Sequence, residues 1–101
     1  MNTLTIESLR ETITANIVGK AVGIYSICSA HPFVLETSIK HAKNNKSQLL
    51  IESTCNQVNQ YGGYTNTTPF QFVERIHKLA KEHQFSANQI VLGGDHLGPY
   101  I

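Results

Sequence analysis

Near the end of the chain, Ile90-Val91-Leu92 runs straight into Gly93-Gly94-Asp95-His96, an apolar run followed by two glycines, a carboxylate and an imidazole. A carboxylate beside an imidazole offers a base for proton transfer and a ligand for a divalent metal such as zinc. Asp95 is therefore the candidate catalytic residue and His96 the candidate metal ligand. The same dipeptide also suits a turn in which Asp95 accepts from nearby backbone amides and His96 is a partly exposed side chain. Gly93 and Gly94 permit either close backbone approach to a ligand or a tight turn with positive φ.

Two other apolar runs end in polar residues. Cys28, Ser29 and His31 follow one; Glu52, Ser53, Asn56 and Gln57 follow the other. Of these, Ser29, Glu52, Asn56 and Gln57 are candidate substrate contacts. His31 and Glu52 either complete a metal shell with His96 or serve locally, His31 as a helix cap and Glu52 as a hydrogen-bonded strand end. Between Asn56 and Tyr64, amides and phenols suit a hydroxyl-rich ligand or satisfy the loop's own backbone. Cys28 and Cys55 read as small buried thiols, and His41, His77 and His83 as solvated helix surface.

The elements that must position these residues can be read from periodicity. Ile6, Leu9, Ile13 and Ile17 recur at helical spacing, with Ser8 and Glu11 spaced as a capping box. Val22 to Ile27 predicts a first buried strand, Gln48 to Ser53 a second and Gln89 to Leu92 a third. Pro32 opens a helix carrying Leu35, Ile39 and Ala42. Thr68-Pro69 opens another, with Phe72, Val73, Ile76, Leu79 and Ala80 on one face. The segment from Cys55 to Thr67, rich in Asn, Gln, Gly and Thr, predicts a long loop of the kind that often carries function.

Strand, helix, strand, helix, strand, with continuous apolar runs in the strands, predicts a parallel α/β sheet covered by helices. The chain contains neither G-x-G-x-x-G nor G-x-x-x-x-G-K-[ST], which favours a (β/α)8 barrel over an open nucleotide-binding sheet. A barrel of that kind takes about 250 residues, against 101 here. The expectation is a single incomplete segment over residues 1–101, the N-terminal portion of a barrel with three parallel strands, poorly stable alone. In such sheets ligands gather at the carboxyl ends of the strands, where all the polar clusters above fall.

Composition narrows the partners. Eight Lys and Arg against seven Asp and Glu give a formal net charge of +1, which argues against nucleic acid and anionic membrane. Two cysteines without metal-ribbon spacing point to the reducing cytoplasm. No apolar run is long enough for a membrane span, and the first 16 residues lack the basic start and apolar centre of a secretion signal.

Three segments together resemble one family: Ile27 to Pro32, Ile51 to Thr65, and Leu92 to Pro99. They are similar to the accessory, or Z, subunit of D-tagatose-1,6-bisphosphate aldolase, used in galactitol and N-acetylgalactosamine breakdown. The resemblance implies a class II aldolase-like barrel that supports the activity and stability of a separate zinc-dependent catalytic subunit. It also implies that Asp95-His96 matches, in order and placement, the proton-transfer carboxylate and zinc ligand of class II aldolases. Gly93-Gly94 stands where catalytic relatives carry a further His, and the remaining zinc ligands would lie beyond Ile101. Other relatives resemble metal-dependent C4 epimerases of ketohexose 6-phosphates. Three expectations follow: an accessory subunit, an epimerase acting on a sugar phosphate, or an inactive truncated remnant.

Overall fold

The computed structural model describes residues 3–97, with side chains from Glu7 onward. Its order is α1 (Thr3–Ile17), β1 (Ser26–Ile27), α2 (Pro32–Asn45), β2 (Leu49–Thr54), α3 (Pro69–Glu82), a 3-10 turn (Ala87–Gln89) and β3 (Ile90–Asp95). The three strands are parallel in the order β1-β2-β3. Among the described residues no helix is long and apolar enough to cross a membrane.

Local chemistry explains where the two crossover helices begin. Pro32 occupies the first turn of α2, where its missing N–H costs nothing, and His31 Nδ1 caps the helix by accepting from Phe33 N at 3.1 Å. Lys46 then closes α2 in the left-handed conformation, its amide donating back to Ala42 and Lys43 carbonyls. In α3, Thr68 accepts from Gln71 N while the Gln71 side chain accepts from Thr68 N, a reciprocal capping box.

Both helices pack on one face of the sheet. Leu35, Ile39 and Ala42 of α2 and Phe72, Ile76 and Ala80 of α3 share a single core with Leu49, Ile51 and Ile90. Burying Ile39, Leu49, Ile51 and Ile76, each 0% exposed, contributes about 1.5–3 kcal/mol per side chain. Consecutive parallel strands with both crossovers on one side fit an arc of a β/α barrel.

Four features differ from the sequence reading. β1 pairs only through Ser26 and Ile27, opposite Leu50 and Ile51. Extending that register backward from Ser26 would bring Val22 to Tyr25 opposite residues at and before Leu49, where β2 has barely begun, so Val22 and Tyr25 stay exposed. α1 starts at Thr3, which leaves Ser8 mid-helix with its carbonyl accepting from Thr12 Oγ1, so Ser8 is no cap. On the same helix Ile13 and Ile17 are exposed, and the Ile6 side chain lies outside the described residues. Finally, β3 continues through Gly93 and Gly94 to Asp95, because Glu52, Ser53 and Thr54 offer matching partners. Neither glycine takes positive φ, so of the two readings offered for them the tight turn does not hold.

Candidate functional site

Register assigns the strand-end residues to faces. Parallel partners share a face, and β2 alternates buried and half-buried, so Leu49, Ile51 and Ser53 meet the helices while Leu50, Glu52 and Thr54 point to the opposite side. Gly93 and Asp95 lie beside Glu52 and Thr54 on that opposite side. Cys28 continues it from β1: its Sγ lies 3.5 Å from Ser26 Oγ and 3.9 Å from Glu52 Oε2. Two carboxylates, Glu52 and Asp95, thus share the face that a barrel turns inward. Gly93 leaves the space beside Glu52 bare, since a Cβ there would meet only Glu52 Cγ, at 3.5 Å. Cys28 is exposed rather than buried, because it sits past the last paired residue of β1.

At the tip of β3, Asp95 and His96 engage each other. Asp95 Oδ1 accepts from His96 N at 2.9 Å, and Oδ2 lies 3.6 Å from His96 Nε2. His96 holds a left-handed φ of 51° with its side chain 76% exposed, and its carbonyl accepts from Cys55 Sγ at 2.8 Å. The pair therefore has a carboxylate at the sheet surface and an imidazole reaching outward. Gly98 and Pro99, which close the third sequence motif, lie outside the described residues.

The long loop after β2 is folded on itself. Asn59 Oδ1 accepts from Tyr61 N and Gly63 N, and its Nδ2 donates to Cys55 O. Thr65 Oγ1 donates to Gln57 O at 2.5 Å. Gln57 turns inward: Oε1 accepts from Thr54 N at 2.9 Å and Ser53 Oγ at 3.3 Å, while Nε2 donates to Cys28 O at 3.3 Å. This one carboxamide joins the carboxyl ends of β1 and β2. Gln57→Ala is expected to cost about 2–3 kcal/mol, from three lost bonds and partners left unpaired near the core. Chemical denaturation measures the loss, and a cost within 0.5 kcal/mol, about the scatter of surface changes, would refute the tie. Asn56 is exposed beside it, its carbonyl accepting from Tyr64 N.

The candidate contacts thus fall into two groups. Glu52 and Asp95 occupy the sheet face, with His96 at its rim. Ser29 and Gln57 instead border a cleft of about 430 Å³ between the first two strand-to-helix connections, together with His31, Tyr64, Thr65 and Arg75.

Comparison with known proteins agrees with this architecture. A solved structure described as a probable tagatose 6 phosphate kinase from Sinorhizobium meliloti 1021 superimposes with a TM-score of 0.71 at 53% identity. The match covers 75% of this chain and 20% of that chain. The sequence profile described as D-tagatose-1,6-bisphosphate aldolase subunit GatZ/KbaZ-like matches residues 9–101. The chain belongs to the GatZ/KbaZ-like family.

In this GatZ/KbaZ-like chain, no three His, Cys, Asp or Glu among the described residues converge as a metal shell requires. Asp95 and His96 supply two donors at most, and a catalytic zinc usually takes three from protein. His31 acts as the cap of α2, and His83 departs from the expected solvated surface. Its side chain is 23% exposed and Nε2 lies 3.3 Å from Glu36 Oε1, because the end of α3 packs beside α2. Arg75 went unmarked in the sequence, although it falls three residues after Phe72 and four before Leu79, at the border of the apolar face.

Proposed function

We propose that this chain acts as the non-catalytic subunit of a tagatose-bisphosphate aldolase in the cytoplasm. It docks on a class II, zinc-dependent catalytic subunit and sustains that subunit's activity and stability during breakdown of galactitol or N-acetylgalactosamine. The family match across residues 9–101 carries this reading. Two features support it: Asp95 Oδ1 is engaged by the His96 amide, and Gly93 leaves a gap where a side chain could act. A sugar-phosphate kinase fits less well, since none of the strand-to-helix connections here holds a glycine-rich nucleotide cradle.

Co-expression of the chain with a tagatose-bisphosphate aldolase catalytic subunit tests the reading. The two are expected to co-purify, and the catalytic subunit to lose activity several-fold more slowly at 37 °C with the chain than without it, as mass action requires of a partner that binds only the native form. Absence of co-purification together with unchanged inactivation would reject the proposal. A second reading, a metal-dependent C4 epimerase of ketohexose 6-phosphates, draws on Glu52 and Asp95 sharing one sheet face. It requires epimerisation by the chain with added divalent metal, abolished in Asp95→Asn. Turnover that survives this substitution, or none at all, removes it.

A further inference from the structure

The cleft beside Ser29 and Arg75 lies on the connections between strands and helices, apart from the carboxylates of the sheet face, and its chemistry is of opposite sign. Arg75 sits on its wall, anchored by Nη1 donating to Thr67 Oγ1 at 2.6 Å; Thr67 is only 1% exposed and itself donates to Thr65 O at 3.1 Å. A guanidinium tied at one nitrogen to a buried hydroxyl is held in place with the rest of its donor fork available.

The other polar groups on the wall are left as donors by the bonds they already make. His31 Nδ1 accepts from Phe33 N, so in the neutral ring the proton resides on Nε2. Ser29 Oγ accepts from His31 N at 3.1 Å, which leaves its hydroxyl hydrogen to give. Tyr64 adds a phenol that is 74% exposed. Gln57, the remaining amide, is spent on the strand ends. No carboxylate lines the cleft among the described residues. At about 430 Å³ it falls within the range of small-molecule sites.

We propose that this cleft binds a tetrahedral oxyanion, either free phosphate or the phosphate of a small phosphomonoester, through Arg75 with Ser29, His31 and Tyr64. Four separate donor groups suit a group with three or four acceptor oxygens better than a planar carboxylate, and the charge-assisted bonds to Arg75 supply the largest share. The proposal does not depend on the accessory role, because the cleft residues are distinct from the Glu52 and Asp95 carboxylates of the sheet face.

The test is a titration of the isotope-labelled chain with inorganic phosphate at constant ionic strength, chloride replacing it in the control, followed by amide and Arg side-chain NMR signals. Saturable shifts are expected at Arg75, Tyr64 and Thr65 with phosphate and not with chloride. Arg75→Gln is expected to weaken binding by about tenfold or more, Arg75→Lys by less, since Lys keeps the charge and loses the fork. Tyr64→Phe, which leaves the Arg75–Thr67 anchor untouched, should weaken it several-fold. Arg10→Gln, on exposed α1, should leave it unchanged. A ketohexose 6-phosphate added as a second arm identifies the source: tighter binding at the same signals assigns a phosphomonoester, weaker binding the free anion. Absence of saturable shifts, or shifts indifferent to both Arg75→Gln and Tyr64→Phe, would overturn the site.

Discussion

Gly63→Ala is expected to break the loop that joins β2 to α3, at a cost of about 2–5 kcal/mol, from a left-handed φ forced on an L-residue plus an overpacked contact. Gly63 has φ +63°, and a Cβ there would lie 2.5 Å from Gln57 O, 2.6 Å from Gln57 C and 2.7 Å from Asn56 O. Every one of those atoms is backbone, so no side-chain rotation relieves the clash. The loop must open, and with it go the bonds from Gly63 N to Asn59 Oδ1 and from Tyr64 N to Asn56 O. Gly94→Ala is the control. Its Cβ would meet Leu97 Cδ1 at 2.6 Å, but Leu97 is 68% exposed and can swing away, so the change should cost less than about 1 kcal/mol. Urea unfolding of both variants decides the matter; equal costs would mean the loop does not close over the backbone of Asn56 and Gln57.

Ile51→Ala should be comparably severe for a different reason. Ile51 is 0% exposed at the middle of the central strand, with Ile27 and Leu92 as its register partners and the α2–α3 core above it. Removing three carbons there costs about 2–5 kcal/mol, transfer and cavity terms together. Domains are stable by only about 5–15 kcal/mol, so the variant should show a markedly lower urea midpoint or lose cooperative unfolding. Phe33→Ala, on the 72% exposed side of α2, should shift stability by no more than about 0.5 kcal/mol. Similar losses in the two variants would show that the sheet and helices do not share the core described.

The order of strands and helices was legible because the signals were local. Pro32 and Thr68-Pro69 mark helix starts by their own backbone chemistry, and Leu49 to Ile51 and Ile90 to Leu92 are apolar runs too short for helices. What stayed hidden depends on partners. The length of β1 is set by where β2 starts, and the extension of β3 through Gly93-Gly94 by what β2 offers alongside. Glycine reads as a turn residue until a neighbouring strand supplies its hydrogen bonds.

The site was legible to the same degree. That polar residues crowd the carboxyl ends of the strands followed from the element order alone. Their division into a carboxylate face and a donor-lined cleft did not, since alternation along β2 sends Glu52 one way while the inward turn of Gln57 sends the loop the other. In sequence α2, β2 and the long loop separate Arg75 from Ser29 and His31, and only the closing of α3 against the loop brings it beside them.

The unequal pairing of the strands also sets an order of assembly. β2 and β3 are joined along their whole lengths, with α3 as the connection between them, whereas β1 is held by two residues and the Gln57 tether. Closing β2–α3–β3 therefore gains the most buried pairing for its loop-closure entropy, and β1 has little to stabilise it until that unit exists. Substitutions in β2 and α3 should slow refolding, while those around Ser26 and Ile27 should chiefly accelerate unfolding, giving φ-values that fall from the centre of the sheet toward its β1 edge.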